Sequence, residues 1–506
     1  MQREFNLNTP IFSTGDTHWT IRNSVEGLQI FGGIGSGKTS GSGRFLAMKY
    51  LSHGYGGLVL TVKPDEKDEW IKYCEETDRL HDLIIVEPDG RECFNFLDYE
   101  TKNSGKQFYT DNILQVLKTV IKASEEKSSG KGDDAFWETS LDMLITNTLD
   151  LCMLAYGKVT IKSLHEIVLA AIALNQRGGE HISKDTLNDN AFAVALKLAN
   201  KNVIKNLDYW KIKLNERFSV IELSKLTQEE FNNRLTDINS EARALKHLHT
   251  FFTQTYAELS EKTRSIVEFS FTGFLFRLLR DPIYSLFCSQ ESTFTPEDCL
   301  EGKIIILNLP VKIYHKVGRD AQIMFKYIWQ RAIEKRNIKE NGRPVFLWAD
   351  EAQNFIHEHD AEFQATARSS SIATVYISQN LPNYFANMGG NKFEYKVKSF
   401  LGTLATKIFH ANADVETNKY ASELIGEAYR EDRNQSTTTV DGKTSVSESV
   451  SYKLDKLIRP EEFQKLLTGG DTNDFKVTSY LHVQGMKFSD GRNYYRLQFN
   501  QKYKLK

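Results

Sequence analysis

The sequence predicts an α/β fold in which a mainly parallel sheet is interrupted by a large all-α section. Three observations predict it. Short aliphatic runs alternate with helical patterns near both ends of the chain, as they do when parallel strands are joined by crossover helices. Several of these runs stop at a polar residue, as expected where a parallel sheet offers its carboxyl edge to a ligand. From Gln107 to Phe287 helical periodicity takes over, and proline occurs once, at Pro282. The expected organisation is a split domain, residues 1–106 and 288–506, around an all-α domain at 107–287.

Leu28, Ile30 and Phe31 make the first apolar strand. Gly32-Gly33-Ile34-Gly35-Ser36-Gly37-Lys38-Thr39 comes next, and Ser40 to Leu51 reads as a helix with Phe45, Leu46, Met48 and Leu51 on one side. The stretch fits G-x-x-x-x-G-K-[ST] in the strand–loop–helix setting of a phosphate loop, where loop N–H groups and a helix N-terminus bind phosphate together. Its glycines let the backbone curl around an anion with no Cβ in the way. Gly32, Gly33, Ile34, Gly35, Ser36, Gly37, Lys38, Thr39 and Ser40 are therefore the expected nucleotide-binding set. Lys38 is expected on the β/γ-phosphates and the Thr39 hydroxyl on a magnesium ion.

Gly57 to Val62 reads as a buried strand, followed by a polar segment, Lys63 to Trp70, that opens a helix; Leu83 to Val86 is another strand. The helical section contains a Ser/Gly/Lys/Glu patch at 124–134, expected to be an exposed loop, between helical stretches that include Phe136–Tyr156, Ile161–Leu174 and Thr263–Leu279. The α/β pattern resumes with Ile304–Leu309, a helix over Asp320–Arg336, and strands Val345–Ala349, Thr374–Ser378 and Thr406–Phe409. Gln435 to Lys453 alternates Ser, Thr and Val around Asp441-Gly442, a hairpin signal with side chains too polar for a core, so a protruding ribbon is expected. Val477–Met486 and Asn493–Phe499 read as a second, amphipathic hairpin.

A phosphate loop needs an acidic partner, and Asp350-Glu351 directly follows the strand Val345–Ala349. Asp350 is expected to hold magnesium through water, and Glu351 to orient and deprotonate an attacking water. The adjacent glutamate points to hydrolysis rather than transfer to a second substrate. Gln379, at the tip of the next strand, is placed to touch the γ-phosphate and report its loss. Arg368, before that strand, fits either an arginine finger on a neighbouring subunit or a surface ion pair of little worth.

Composition narrows the class. The chain has 506 residues, 40% apolar and 26% charged, ordinary for globular domains with ample cores. A net charge of −2 means that any nucleic-acid surface must be local. Five cysteines without C-x-x-C spacing suggest reduced thiols rather than a disulfide frame or zinc site. Met1 to Pro10 lacks the apolar core of a signal peptide, and the longest apolar run, Ile167 to Leu174, is far short of the ~20 residues that span a bilayer. A cytoplasmic protein is expected.

Taken in order, these stretches resemble the coupling ATPases of conjugative type IV secretion, the TraG/TraD group, within the larger class of FtsK- and HerA-like DNA pumps. The resemblance rests on Gly32 to Thr39; Asp134-Ala135-Phe136-Trp137; the Thr263–Leu279 helix; Phe294 to Leu300 leading to Gly302-Lys303; Asp350-Glu351-Ala352, Arg368 and Gln379; Asp414 to Thr417 through Gly426; and Arg459 to Phe463. It implies a RecA-like P-loop core carrying an all-α domain, ATP and Mg2+ as cofactors, a homo-oligomeric ring (a hexamer) around DNA, and Arg368 acting in trans. It also implies a relaxase or secretion-channel partner and a place at the inner membrane, which for this chain would be peripheral because the membrane helices usual at the N-terminus of such proteins are missing. That absence keeps open a cytosolic FtsK/HerA-like pump in genome maintenance or mobile-element defence, and the helical section, Gln107 to Phe287, is large enough to keep open a nucleotide-gated scaffold that recruits protein cargo without translocation. One further departure is Lys63-Pro64-Asp65, where many members carry Asp-Pro-Lys.

Overall fold

The computed structural model describes residues 5–504 apart from 104–109, 126–134, 177–189, 219–221, 224, 358, 389–392 and 441. The low-complexity patch thus falls almost wholly outside the described residues. So does Asp441 of the ribbon turn. The chain forms two compact units, Met1–Ile84 with Glu297–Asn308 and Gln330–Lys506, and Ile85–Pro296 with Leu309–Trp329. The helical section proposed at 107–287 lies inside the second.

Among the described residues thirteen strands follow one another as β1 Pro10–Thr14, β2 Thr17–Thr20, β3 Leu28–Phe31, β4 Gly56–Leu60, β5 Leu83–Val86, β6 Ile304–Leu307, β7 Val345–Ala349, β8 Ile372–Ser378, β9 Thr406–His410, β10 Glu427–Val440, β11 Lys443–Lys456, β12 Lys476–Val483 and β13 Tyr494–Asn500. Nine build one sheet in the order β13-β12-β9-β3-β8-β7-β4-β6-β5. From β9 across β3, β8, β7 and β4 to β6 every pairing is parallel. The central strands β3, β4, β6, β7, β8 and β9 are buried along their whole length, which is why they read as continuous aliphatic runs rather than alternating ones.

The second amphipathic hairpin does more than close the chain. β12 pairs antiparallel with β9, so the hairpin extends the sheet on the side of β3 and the phosphate loop. The ribbon is longer than its sequence pattern shows: β10 and β11 pair over fourteen residues each as a separate two-stranded sheet. β1 and β2, a hairpin that periodicity does not reveal in strands this short, turn at Gly15-Asp16. The helix after β6 runs Val311–Glu334, starting well before Asp320, and breaks its regular geometry at His315.

Among its described residues between Asp111 and Phe287 the second unit is helical, with the longest helices of that stretch at Ala135–Tyr156 and Glu261–Leu278. Leu144, Leu149, Leu164, Ile167, Val203, Phe271 and Leu275 are buried on facing helix stripes. Asn190, Thr227 and Ser260 cap helix N-termini with side-chain oxygens. Lys211 and Lys213, part of a basic and aromatic stretch, pair with Asp208 and Glu216 on their own exposed helix. Among the described residues no helix is long and apolar enough to cross a membrane. All five cysteines are buried, and none is in a disulfide.

Candidate functional site: a phosphate loop facing a carboxylate pair

Parallel pairing assembles the site. β3, β8, β7 and β4 lie side by side and end at the same edge, so the residues just past each strand converge there. Gly32 to Gly37 leaves β3, Lys63 lies beyond β4, Asp350-Glu351 beyond β7 and Gln379 beyond β8.

The phosphate loop is shaped by its neighbours. Gly32 and Gly33 donate backbone hydrogen bonds to the Ser378 and Ala411 carbonyls, at 3.2 and 2.8 Å. Gly37 has φ of 78°, in the left-handed region, and a Cβ there would lie 2.5 Å from a methyl of Val477 on β12. Only glycine meets both conditions. Ile34 at the loop tip is exposed, whereas Ser36 is buried with its hydroxyl unpartnered. A helix then begins at Lys38 with one wide turn, Lys38–Gly43, before the regular Arg44–Ser52. Ser40 Oγ accepts a hydrogen bond from Gln501 Nε2 at 2.7 Å. Ser42 Oγ hydrogen-bonds His410 Nε2 at 2.7 Å beneath the loop. Burial, and secondarily the Lys38 charge, hold the His410 imidazole down to about 3, so it stays neutral.

The acidic pair occupies two linked networks. Thr39 Oγ1 donates to Asp350 Oδ2 at 2.8 Å, and Asp350 Oδ1 accepts the Glu351 N–H at 2.8 Å. Glu351 has φ of 50° and ψ of 48°, a left-handed backbone that costs a non-glycine residue roughly 1–3 kcal/mol and is typical of functional sites. Its carboxylate accepts from Gln353 Nε2 at 2.9 Å and from Gln379 Nε2 at 3.2 and 3.4 Å, and lies 3.6 Å from Lys38 Nζ. Burial pushes this carboxyl up, but the Gln353 hydrogen bond, the Lys38 charge and the Gln379 hydrogen bond together hold it below the usual range. Glu351 is therefore an ionised acceptor held by two amide donors and the Lys38 charge.

Lys38, Thr39, Asp350, Glu351 and Gln379 thus converge; Arg368 does not join them. It sits before β8, 58% exposed, with Nη1 3.3 Å from Glu26 Oε1, and Glu26 precedes β3. β8 is seven residues long, so at ~3.3 Å per step the two edges stand about 20 Å apart. Arg368 cannot reach the nucleotide loop of its own chain.

Four residues at the site escape the sequence reading. Gln353 holds Glu351 and is itself held by Ser378 Oγ at 3.0 Å; Asn412 Nδ2 fixes the Gln379 carbonyl at 2.7 Å. Lys63 Nζ lies 3.6 Å from Asp350 Oδ2, and Glu66 faces the same cavity, which Thr39, Glu69, Trp70 and Trp348 help to line. The unusual Lys63-Pro64-Asp65 was a signal for the last two; nothing local marks Gln353 or Asn412.

The site suits Mg–nucleotide chemistry. Among the described residues no three His, Cys, Asp or Glu side chains gather around a metal position. A hydroxyl beside a carboxylate is instead the sparse hard-oxygen donor set by which magnesium is held together with phosphates. The buried, unpartnered Ser36 hydroxyl adds a polar group inside the loop.

Residues 8–469 match the family described as Type IV secretory system Conjugative DNA transfer. The chain belongs to this family. Solved structures carry the same fold, a RecA-like P-loop core. The bacterial conjugative coupling protein TrwBdeltaN70 in its unbound monoclinic form superposes with a TM-score of 0.59 at 14% identity, covering 99% of this chain and 90% of that one. Plasmid coupling protein TrwB with ADP and Mg2+ gives 0.55 at 13% identity over 100% and 91% of the two chains, and with the GTP analogue GDPNP 0.55 at 13% over 99% and 92%. No curated protein matches. Identity at that level carries the fold alone, so the residue roles in this conjugative-transfer chain rest on its own geometry.

Proposed function

We propose that this chain is an ATP-hydrolysing motor that translocates DNA as a ring of identical subunits, a hexamer, with each catalytic site completed by the next subunit. The observation that carries the reading is Glu351, ionised and aimed by Gln353 and Gln379, beside the phosphate-loop lysine. Bound Mg–ATP supplies the phosphoanhydride and the charge neutralisation at the β- and γ-oxygens. Lys38 binds and orients the terminal phosphates. Thr39 and Asp350 hold the metal position. Glu351 takes a proton from the attacking water, and Gln379, hydrogen-bonded to Glu351 and with its carbonyl held by Asn412, is placed to touch the γ-phosphate and report its loss.

Arg368 supports the ring. Its side chain is exposed at the opposite edge of the sheet from its own nucleotide loop, where a single weak ion pair leaves it available to an adjacent subunit's site. An arginine supplied in trans is worth ~10³–10⁵ in turnover. The family supplies the cargo, since conjugative DNA transfer requires a DNA-moving step.

The test is ATP turnover per subunit against protein concentration, with and without DNA. Turnover should be very low for dilute protomers and climb steeply with assembly on DNA. Turnover independent of both concentration and DNA would overturn the ring motor.

A further inference from the structure

Lys63 lies just beyond β4, which pairs in parallel with β7 so that Leu60 sits beside Ala349. Asp350 is the next residue after β7, and the lysine is thereby brought to the acidic pair. A short loop holds it there: the Val62 N–H donates to Glu66 Oε2 at 2.7 Å, closing the turn around Lys63 and Pro64 at the start of the helix Glu66–Glu76. Lys63 Nζ then stands between two carboxyl groups, 3.6 Å from Asp350 Oδ2 and 3.9 Å from Glu66 Oε1; burial, and next the Asp350 charge, push the Glu66 carboxyl up to about 8. Glu66 is buried, and its Oε1 has no hydrogen-bond partner.

Asp350 Oδ2 is also the oxygen that accepts the Thr39 hydroxyl. A magnesium ion held by Thr39 and Asp350 needs that same corner of the site. A lysine within about 4 Å repels a divalent ion there and weakens the field that attracts it. We infer that Lys63 is a built-in counter-ion of the metal position: it competes with magnesium for Asp350, and Glu66 takes the lysine when the metal is held. Lys63 is a positioning residue that sets how much magnesium the site requires and carries the change at Asp350 into the loop 62–66. The inference rests on the nucleotide-site reading above.

A competing cation has a signature that damage to the fold does not. Removing it strengthens magnesium binding and weakens binding of the metal-free nucleotide anion. Equilibrium titration of the full chain with a fluorescent ADP analogue reads both, one arm in varied magnesium and one in excess chelator. Lys63→Met, similar in length and uncharged, should lower the half-saturating magnesium concentration by on the order of tenfold and weaken chelator-arm binding by a similar factor. Lys63→Arg should behave as wild type. Glu66→Gln leaves the lysine on Asp350 and should raise the magnesium requirement. A Lys63→Met protein whose magnesium requirement is unchanged or raised overturns the inference. Loss of binding in both arms overturns it as well, because a structural lysine does that. Failure of wild type to bind the ADP analogue would instead sink the nucleotide-site reading itself.

Discussion

Replacing Glu351 by glutamine should separate nucleotide binding from hydrolysis in opposite directions. In the protein Lys38 Nζ is 3.6 Å from Glu351 Oε1, with both side chains about nine-tenths buried. At an effective dielectric near 20 such a pair is worth up to about 4–5 kcal/mol, an attraction that an arriving phosphate must replace. Glutamine is isosteric and neutral. Part of that attraction is offset because Gln353 and Gln379 both donate to this side chain, and an amide can accept from them with only its one oxygen. The expected net effect is ATP binding tighter by about 10–100-fold, equivalent to ~1.4–2.8 kcal/mol. Turnover should fall by ~10²–10⁴, the usual contribution of a positioned general base. Fluorescent-nucleotide titration gives the first number, and phosphate release at saturating ATP and DNA the second. Turnover within tenfold of wild type would refute the role given to Glu351. Weaker nucleotide binding would refute the claim that Lys38 is held by Glu351 rather than free.

Arg368→Ala should leave folding stability within ~1 kcal/mol, because only an exposed ion pair to Glu26 is lost, yet abolish most DNA-stimulated turnover. Mixing it with Lys38→Ala subunits should restore activity above that of either alone, since an intact Lys38 then meets an intact Arg368 across an interface; no gain on mixing counts against a finger in trans. His410 gives a pH test of the packing under the loop. Its pKa is depressed in the folded state, so acid protonates the unfolded chain first and stability is lost as pH falls from about 6.5 toward 3. His410→Asn keeps a partner for Ser42 without that titration. In urea melts at pH 7 and pH 5, wild type should lose ~2 kcal/mol relative to the variant over that interval. A parallel decline of the two proteins would mean that His410 is protonated in place.

Much of the nucleotide loop was legible because it is local. Gly32 to Thr39 carries its strand before it and its helix after it, so eight residues and their flanks state the geometry. Asp350-Glu351 was legible for a similar reason, as a polar step at the end of an aliphatic run. Gln379 and Arg368 could be singled out by position, but their fates differ: parallel pairing puts one residue at the top of β8 and the other below its start. The length of the ribbon and the hairpin β1–β2 went unread, since exposed or very short strands lack the buried alternation by which strands are recognised.

The residue pattern was enough to establish a P-loop, its acidic partner and an α/β core, because each depends on neighbours in the chain. Strand order depended on folding. Thr39 and Asp350, hydrogen-bonded at 2.8 Å, are 311 positions apart, and β3 lies between β8 and β9 only because aliphatic strands from both ends of the chain bury one another. The same pairing turned Lys63-Pro64-Asp65 from an unexplained departure into a lysine against the Asp350 carboxylate, and set Val477 against Gly37. Contacts made across a sheet reflect which strands are adjacent, and in a parallel sheet with long crossovers adjacency comes from burial of both faces rather than from any local run of residues.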